Sequence, residues 1–170
     1  MTVRAYIGIG SNLDNPVAQV KEAIAELEYL PDSVFFAKSS LYSCKPMGPA
    51  DQPDYVNAVA AVDTLLSAEN LYSELVKIED MQGRTRDGEK WGPRILDLDL
   101  LLYDDLVLDE KGLKLPLEEI LRNAFVLWPL AEIAPAQVHP LAGKTYAELW
   151  NDFDKTKENL APIEFECDSY

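Results

Sequence analysis

Two aspartates one residue apart, Asp97 and Asp99, interrupt the leucines of the run Ile95-Leu96-Asp97-Leu98-Asp99-Leu100-Leu101-Leu102-Tyr103. In an extended strand, residues two apart project from the same face, with Cα atoms about 6.6 Å apart. Two carboxylates so placed can converge on a pair of cations roughly 3.5 to 4 Å apart, and Mg²⁺ favours carboxylate, water and phosphate oxygens. The spacing also suits an ordinary strand with one wet face; Leu96, Leu98 and Leu100 form the core face in both cases. Upstream, Arg84, Arg86, Lys90 and Arg94 put four of the 15 basic residues into an eleven-residue window. A charge run by itself is commonly a solvated face. Fixed guanidinium forks next to a paired-carboxylate strand, however, are what a triphosphate requires. Trp91, Tyr55 and Phe125 offer flat faces on which a heteroaromatic ring can stack.

Other motifs fail on spacing. Gly8-Ile9-Gly10 follows a strand-like run, but the third glycine of a dinucleotide fingerprint would fall at Leu13. Gly143-Lys144-Thr145 resembles the end of a P-loop whose first glycine would have to stand at Val138, so a surface turn is expected there. His139 is the only histidine and precedes Pro140, which leaves no partner for a two-histidine metal site and makes it a turn residue. Cys44 and Cys167 are too far apart in sequence for metal-ligand spacing and read as free thiols of a reducing compartment. A formal charge of -15 argues against nucleic acid as a partner. With no apolar run approaching the ~18 residues of a membrane span, a cytoplasmic protein without membrane association is expected.

The elements that must position these residues follow from periodicity. Val3 to Ile9 reads as a buried strand ending in a Gly10-Ser11-Asn12 turn, and Pro16 opens a helix with Val17, Val20, Ile24 and Leu27 on one side. A second strand is expected over 33–43, a proline-stiffened loop over 45–53, a strand over 55–64 and a helix over 68–81. Gly83 to Pro93 is polar, basic and flanked by glycines, which suits a mobile loop over a site. A strand over 95–103, a small hairpin within 106–115 and an apolar helix over 125–133 despite Pro129 complete the list. Strand, helix, strand, strand, helix, strand is the α+β ferredoxin-like βαββαβ order, with an antiparallel sheet. The expected organisation is one domain over 1–150 with an acidic C-terminal extension, 151–170, loosely held or part of the same domain.

With these residues in place, the chain resembles the hydroxymethyldihydropterin pyrophosphokinases. The resemblance runs from about Tyr6 to His139. It is carried by Gly10-Ser11-Asn12-Leu13, Gly48-Pro49, Gln52-Pro53-Asp54-Tyr55 with Asn57, and Gln82-Gly83-Arg84 with Arg86. Trp91-Gly92-Pro93-Arg94 with Leu96-Asp97-Leu98-Asp99, and Phe125 with Trp128-Pro129-Leu130, complete it. The resemblance implies transfer of pyrophosphate from ATP to the hydroxymethyl oxygen of the pterin, with AMP leaving. Asp97 and Asp99 would hold two Mg²⁺ ions, Arg84 and Arg94 would bind phosphates, and Arg86 and Trp91 would close over ATP. Tyr55 and Phe125 would sandwich the pterin, with Asn57 and the stretch Cys44-Lys45-Pro46-Met47 reading its polar edge. Leu100 and Lys114 would border the nucleotide, and the partners would be these small molecules, bound by a monomer. Three positions depart from the pattern. Cys44 stands where threonine is usual, Leu117 where a histidine follows proline, and Asn123 where an arginine stands two residues before the phenylalanine. The departures point to retained chemistry with altered nucleotide affinity, the alternative being a degenerate relative that binds pterin or nucleotide without catalysis.

Overall fold

The computed structural model describes residues 1–11, 15–44, 55–87, 96–110, 112–153 and 165–168, with the backbone alone at 43–44, 83–87 and 165–168. β1 (Val3–Ser11) pairs antiparallel with β4 (Tyr55–Thr64), the middle strand of the sheet, on one side and with β5 (Asp97–Tyr103) on the other. β4 also pairs antiparallel with β2 (Ser33–Lys38) and β3 (Leu41–Cys44). With α1 (Pro16–Leu27) and α2 (Ala68–Asp87) as the two crossovers, this is the expected ferredoxin-like α+β arrangement. One further strand, β8 (Phe165–Asp168), pairs with the outer side of β3, so the last part of the acidic extension joins the sheet.

Each face of the sheet has its own core. Ala5, Ile7, Ile9, Val56, Ala58, Ala60, Val62, Leu98 and Leu100 face α1 and α2, where Val20, Ala23, Ile24, Leu27, Leu71 and Leu75 meet them. Tyr6, Val59, Ala61, Leu101 and Leu102 face the other way, toward α3 (Glu119–Arg122), α4 (Ala124–Ile133) and α5 (Tyr146–Asp152). Burial on both sides explains why β5 loses its alternation after Asp99: a register shift opposite Tyr6 and Ile7 sends both Leu101 and Leu102 into the second core. Between β5 and α3 lies the expected hairpin, β6 (Leu108–Glu110) with β7 (Leu113–Leu115). Among the described residues no helix is long and apolar enough to cross a membrane.

Two boundaries differ from the sequence expectation. The strand expected over 33–43 is split, because Ser39 uses its backbone N–H to bond the Val59 carbonyl while its own hydroxyl accepts from the Val59 N–H, each at 2.8 Å. A side chain thus replaces one rung of the ladder, and β3 begins afresh at Leu41. The helix expected to stop at Met81 continues to Asp87. Its buried positions Leu71 and Leu75 lead on to Gln82, whose amide donates to the Gln19 backbone carbonyl and side chain of α1, both at 2.9 Å. That buried polar link fastens the helix beyond the point where apolar periodicity ends, so Arg84 and Arg86 belong to its last turn rather than to a loop.

Candidate active site

The sheet register assembles the site. Asp97 lies opposite Gly10, Gly10 opposite Asn57, and Asn57 opposite Tyr42, one row across β5, β1, β4 and β3. Directly paired residues project from the same face, so Asp97, Asn57 and Tyr42 share a side of the sheet. Asp99, opposite Gly8, and Tyr55, two residues before Asn57, share it too by the period of two. This is the face covered by α4, whereas Leu98 and Leu100 point into the core under α1 and α2. Asp97 is half-buried, Asp99 exposed, Asn57 half-buried and Tyr55 exposed.

The two glycines leave the floor between the aspartates and β4 without side chains. A Cβ on Gly10 would stand 2.9 Å from Asn57 Oδ1, so the asparagine amide lies across the glycine in the direction of Asp97. A Cβ on Gly8 would come within 3.3 Å of the Leu101 side chain. Glycine in a strand commonly marks such a close approach. Among the described residues β5 is an edge strand, and the Leu98 N–H between the two aspartates donates to Glu79 Oε2 of α2 at 2.7 Å. By the strand's alternation, the backbone groups of Leu100 turn to the same outer edge as those of Leu98. Leu100 itself is 3% exposed, so it can meet a ligand there through its main chain and not its side chain.

Phe125 is the second residue of α4 and half-buried. Asn123 precedes the helix in an extended conformation, and its side chain accepts from the Phe125 N–H at 2.9 Å. At the other end of α4, Glu132 accepts from Ser40 N–H at 3.0 and 3.1 Å, from Ser40 Oγ at 3.0 Å and from the Tyr42 hydroxyl at 2.5 Å. Between them the Trp128 ring meets Tyr42 at 4.8 Å and stacks on Trp150 at 5.1 Å. The backbone of Cys44 lies opposite Tyr55. Lys114, on the hairpin, bonds Glu118, which holds the ammonium above and the carboxyl below their ordinary pKa values; Arg122 approaches the same carboxylate at 3.5 Å. Leu117, at the position where the resemblance leads one to expect histidine, packs against the second core and donates its N–H to the Leu101 carbonyl at 3.0 Å.

Of the residues singled out by sequence, Asp97, Asp99, Asn57 and Tyr55 are thus brought to one face, with Phe125 on the helix that covers it. Arg84 and Arg86 are placed by backbone alone at the end of α2. Lys45, Pro46, Met47, Lys90, Trp91 and Arg94 lie outside the described residues. Glu79, Gly8 and Glu132 were not foreseen, since the partners of both carboxylates are distant in sequence. The motifs set aside earlier are turns and caps. His139 Nδ1 accepts from the Leu141 and Ala142 N–H groups at 3.1 and 3.0 Å, and Thr145 forms a capping box with Glu148 at the start of α5.

Among the described residues no three His, Cys, Asp or Glu side chains converge into a cluster that could hold a metal by themselves. A pair of carboxylates on one face of a strand is nevertheless the donor set Mg²⁺ takes when substrate phosphates and water complete its shell.

Comparison with known proteins agrees with this architecture. The family model described as 7,8-dihydro-6-hydroxymethylpterin-pyrophosphokinase matches residues 6–135. The 2-amino-4-hydroxy-6-hydroxymethyldihydropteridine pyrophosphokinase of Pseudomonas aeruginosa is 48% identical over 135 residues, covering 79% of this chain and 83% of that one. Its counterpart from Haemophilus influenzae is 45% identical over 138 residues, covering 81% and 86%. In fold, the chain is similar to a crystal structure of Plasmodium falciparum HPPK-DHPS, with a TM-score of 0.75 at 12% identity, covering 96% of this chain. It spans less than half of that longer protein, 45%. Matched over most of its length by the family model and by these relatives, the chain belongs to the 7,8-dihydro-6-hydroxymethylpterin-pyrophosphokinase family.

Proposed function

We propose that this chain transfers the terminal pyrophosphoryl group of ATP to the hydroxymethyl oxygen of 6-hydroxymethyl-7,8-dihydropterin, releasing AMP, as a step of folate biosynthesis in the cytoplasm. Family membership together with the two aspartates on the glycine-floored face carries this reading. In the reaction the hydroxymethyl oxygen bonds to the β-phosphorus, the bond from that phosphorus to its bridging oxygen toward the α-phosphate breaks, and the hydroxyl proton is released. The oxygen-only donor set of Asp97 and Asp99 fits two Mg²⁺ ions, which when bound would lower the pKa of the attacking hydroxyl and neutralise the phosphates.

The chain's own residues then have separate tasks. Asp97 and Asp99 orient the triphosphate from β5, and the edge amide between them is held by Glu79. Tyr55 and Phe125 stack on the pterin, and Asn57, lying across Gly10, reads its polar edge next to the aspartates. The backbone of Cys44, with Lys45, Pro46 and Met47 beyond it, supplies further bonds to that edge. Main-chain groups of Leu100 on the outer edge of β5, an edge strand among the described residues, suit the nucleotide base, with Lys114 at its border. Arg84, Arg86, Trp91 and Arg94 close over the phosphates; a guanidinium fork there stabilises charge that develops in transfer.

The deciding experiment measures AMP release from ATP, hydroxymethyldihydropterin and excess Mg²⁺. We expect turnover in the wild type and a loss of about a hundred- to a thousandfold in kcat for Asp97→Ala, with the fold intact. Ligand-induced thermal stabilisation without AMP would instead identify a binder that does not catalyse. Turnover by Asp97→Ala at the wild-type rate would remove that residue from its role.

A further inference from the structure

We infer that Asn123 is a positioning residue for substrate stacking: it fixes the backbone amide of Phe125 and thereby presents the ring to the pterin. The inference rests on the pyrophosphokinase reading above. Asn123 is the junction of two helices. Its N–H donates to the Glu119 carbonyl at 2.9 Å, closing α3, while its φ of -125° and ψ of 115° turn the chain before α4. Its carbonyl accepts from the Val126 and Leu127 N–H groups, both at 3.0 Å, and its side-chain oxygen takes the Phe125 N–H at 2.9 Å. Three amides of the first turn therefore end on this one residue.

What lies further along the helix makes the cap matter more. Pro129 has no N–H, so it cannot give the Phe125 carbonyl the bond that the residue four places on supplies in a regular helix. The helix ladder therefore lacks the donor that position 129 supplies in a regular helix. The rest of α4 is held independently, by the buried Leu127 and Leu130 and by Glu132 on Ser40 and Tyr42. Removing the Asn123 side chain should therefore loosen the turn that carries Phe125 without releasing the helix. The position that departs from the family pattern has a local task, one that a side chain as short as asparagine, aspartate or serine can perform.

The test compares Asn123→Ala, Asn123→Asp and Asn123→Ser. We expect Asn123→Ala to raise KM for the pterin about fivefold, the factor that corresponds to a lost N-cap, with kcat and KM for ATP within about twofold of wild type. Asp and Ser keep an acceptor at the same place and should restore pterin KM. Hydrogen exchange at the Phe125 amide should quicken in the alanine variant and not in the aspartate variant. A merely stabilising cap would lower the thermal transition and leave pterin KM unchanged, which would overturn the inference. So would an equal rise for Ala and Asp, or a parallel rise in both KM values. If the wild type released no AMP, the pyrophosphokinase reading would fall by itself. Pterin binding measured by calorimetry with a non-hydrolysable ATP analogue would then decide: about fivefold weaker binding in Asn123→Ala supports the positioning role, and equal binding overturns it.

Discussion

At the scale of single residues, absence of a side chain is as important as its presence. Gly10 lets Asn57 reach across β1, because a methyl there would stand 2.9 Å from Asn57 Oδ1, closer than real Cβ contacts. Gly10→Ala should therefore turn the asparagine away and raise KM for the pterin about tenfold, since a buried polar edge left without its partner costs about 1 to 3 kcal/mol. Gly8→Ala provides the comparison, because its methyl would meet only the flexible end of Leu101 at 3.3 Å, and a change below about threefold is expected. Steady-state kinetics with each substrate varied would separate the two, and equal effects of both would show that Asn57 is not what the glycine protects. This relation was not legible in the sequence. The types and spacing of Asp97 and Asp99 were, because a strand's period of two is local, whereas Gly10 and Asn57 become neighbours only through the pairing of β1 with β4. Glu79 escaped for the same reason: nothing local says that an edge amide at Leu98 needs a carboxylate from α2.

At the scale of elements, periodicity located strands and helices well and placed their ends less well. β4 runs over Tyr55–Thr64 as expected because its apolar run is bounded by polar residues. The split at Ser39 and the continuation of α2 past Met81 both come from side-chain hydrogen bonds to distant partners, Val59 and Gln19, which a periodicity argument does not contain. α4 is likewise held at its end by a single carboxylate. Glu132→Ala would strip the acceptor from Ser40 N–H, Ser40 Oγ and the Tyr42 hydroxyl. A loss of about 2 to 3 kcal/mol is expected, read as a fall of roughly 5 to 10 °C in Tm; a shift of under about 1 °C would mean that solvent replaces these bonds without cost. The turn before α5 adds a pH dependence. His139 is buried, its Nδ1 is occupied as an acceptor, and burial lowers its pKa below the ordinary value. The unfolded chain therefore binds the proton more readily, so stability is fully present above about pH 6.5 and declines as pH falls below it. One proton corresponds to a slope of at most about 1.4 kcal/mol per pH unit. Denaturant titrations at pH 7 and 5 should show a larger loss for wild type than for His139→Gln, and parallel losses would exclude the histidine as the source.

At the scale of the molecule, the regions proposed for the two substrates are centred on different strands of the sheet. β5, with the aspartates, forms one edge, and β3 with β8 lies toward the other, β1 and β4 standing between. The net charge of -15 says nothing about this division, and the weak periodicity of the acidic C-terminal residues did not announce a strand. Pairing of Phe165–Asp168 with Leu41–Cys44 depends on backbone bonds, which leave little trace in side-chain pattern. The consequence can be tested by ending the chain at Phe153. β3 would keep β4 as its strand neighbour but lose β8, exposing backbone groups of a strand four residues long. Losing a few such bonds should cost about 1 to 3 kcal/mol and lower Tm by roughly 3 to 10 °C. Because β3 runs directly toward Cys44 and the residues proposed to read the pterin, KM for the pterin should rise. KM for ATP should hold within about twofold, since the nucleotide is assigned to β5 across the sheet, and an interaction far from both changed groups is additive. Kinetics on the shortened chain, run well below its transition temperature, distinguish this from general loosening, which would weaken both substrates together and refute the separation of the two edges.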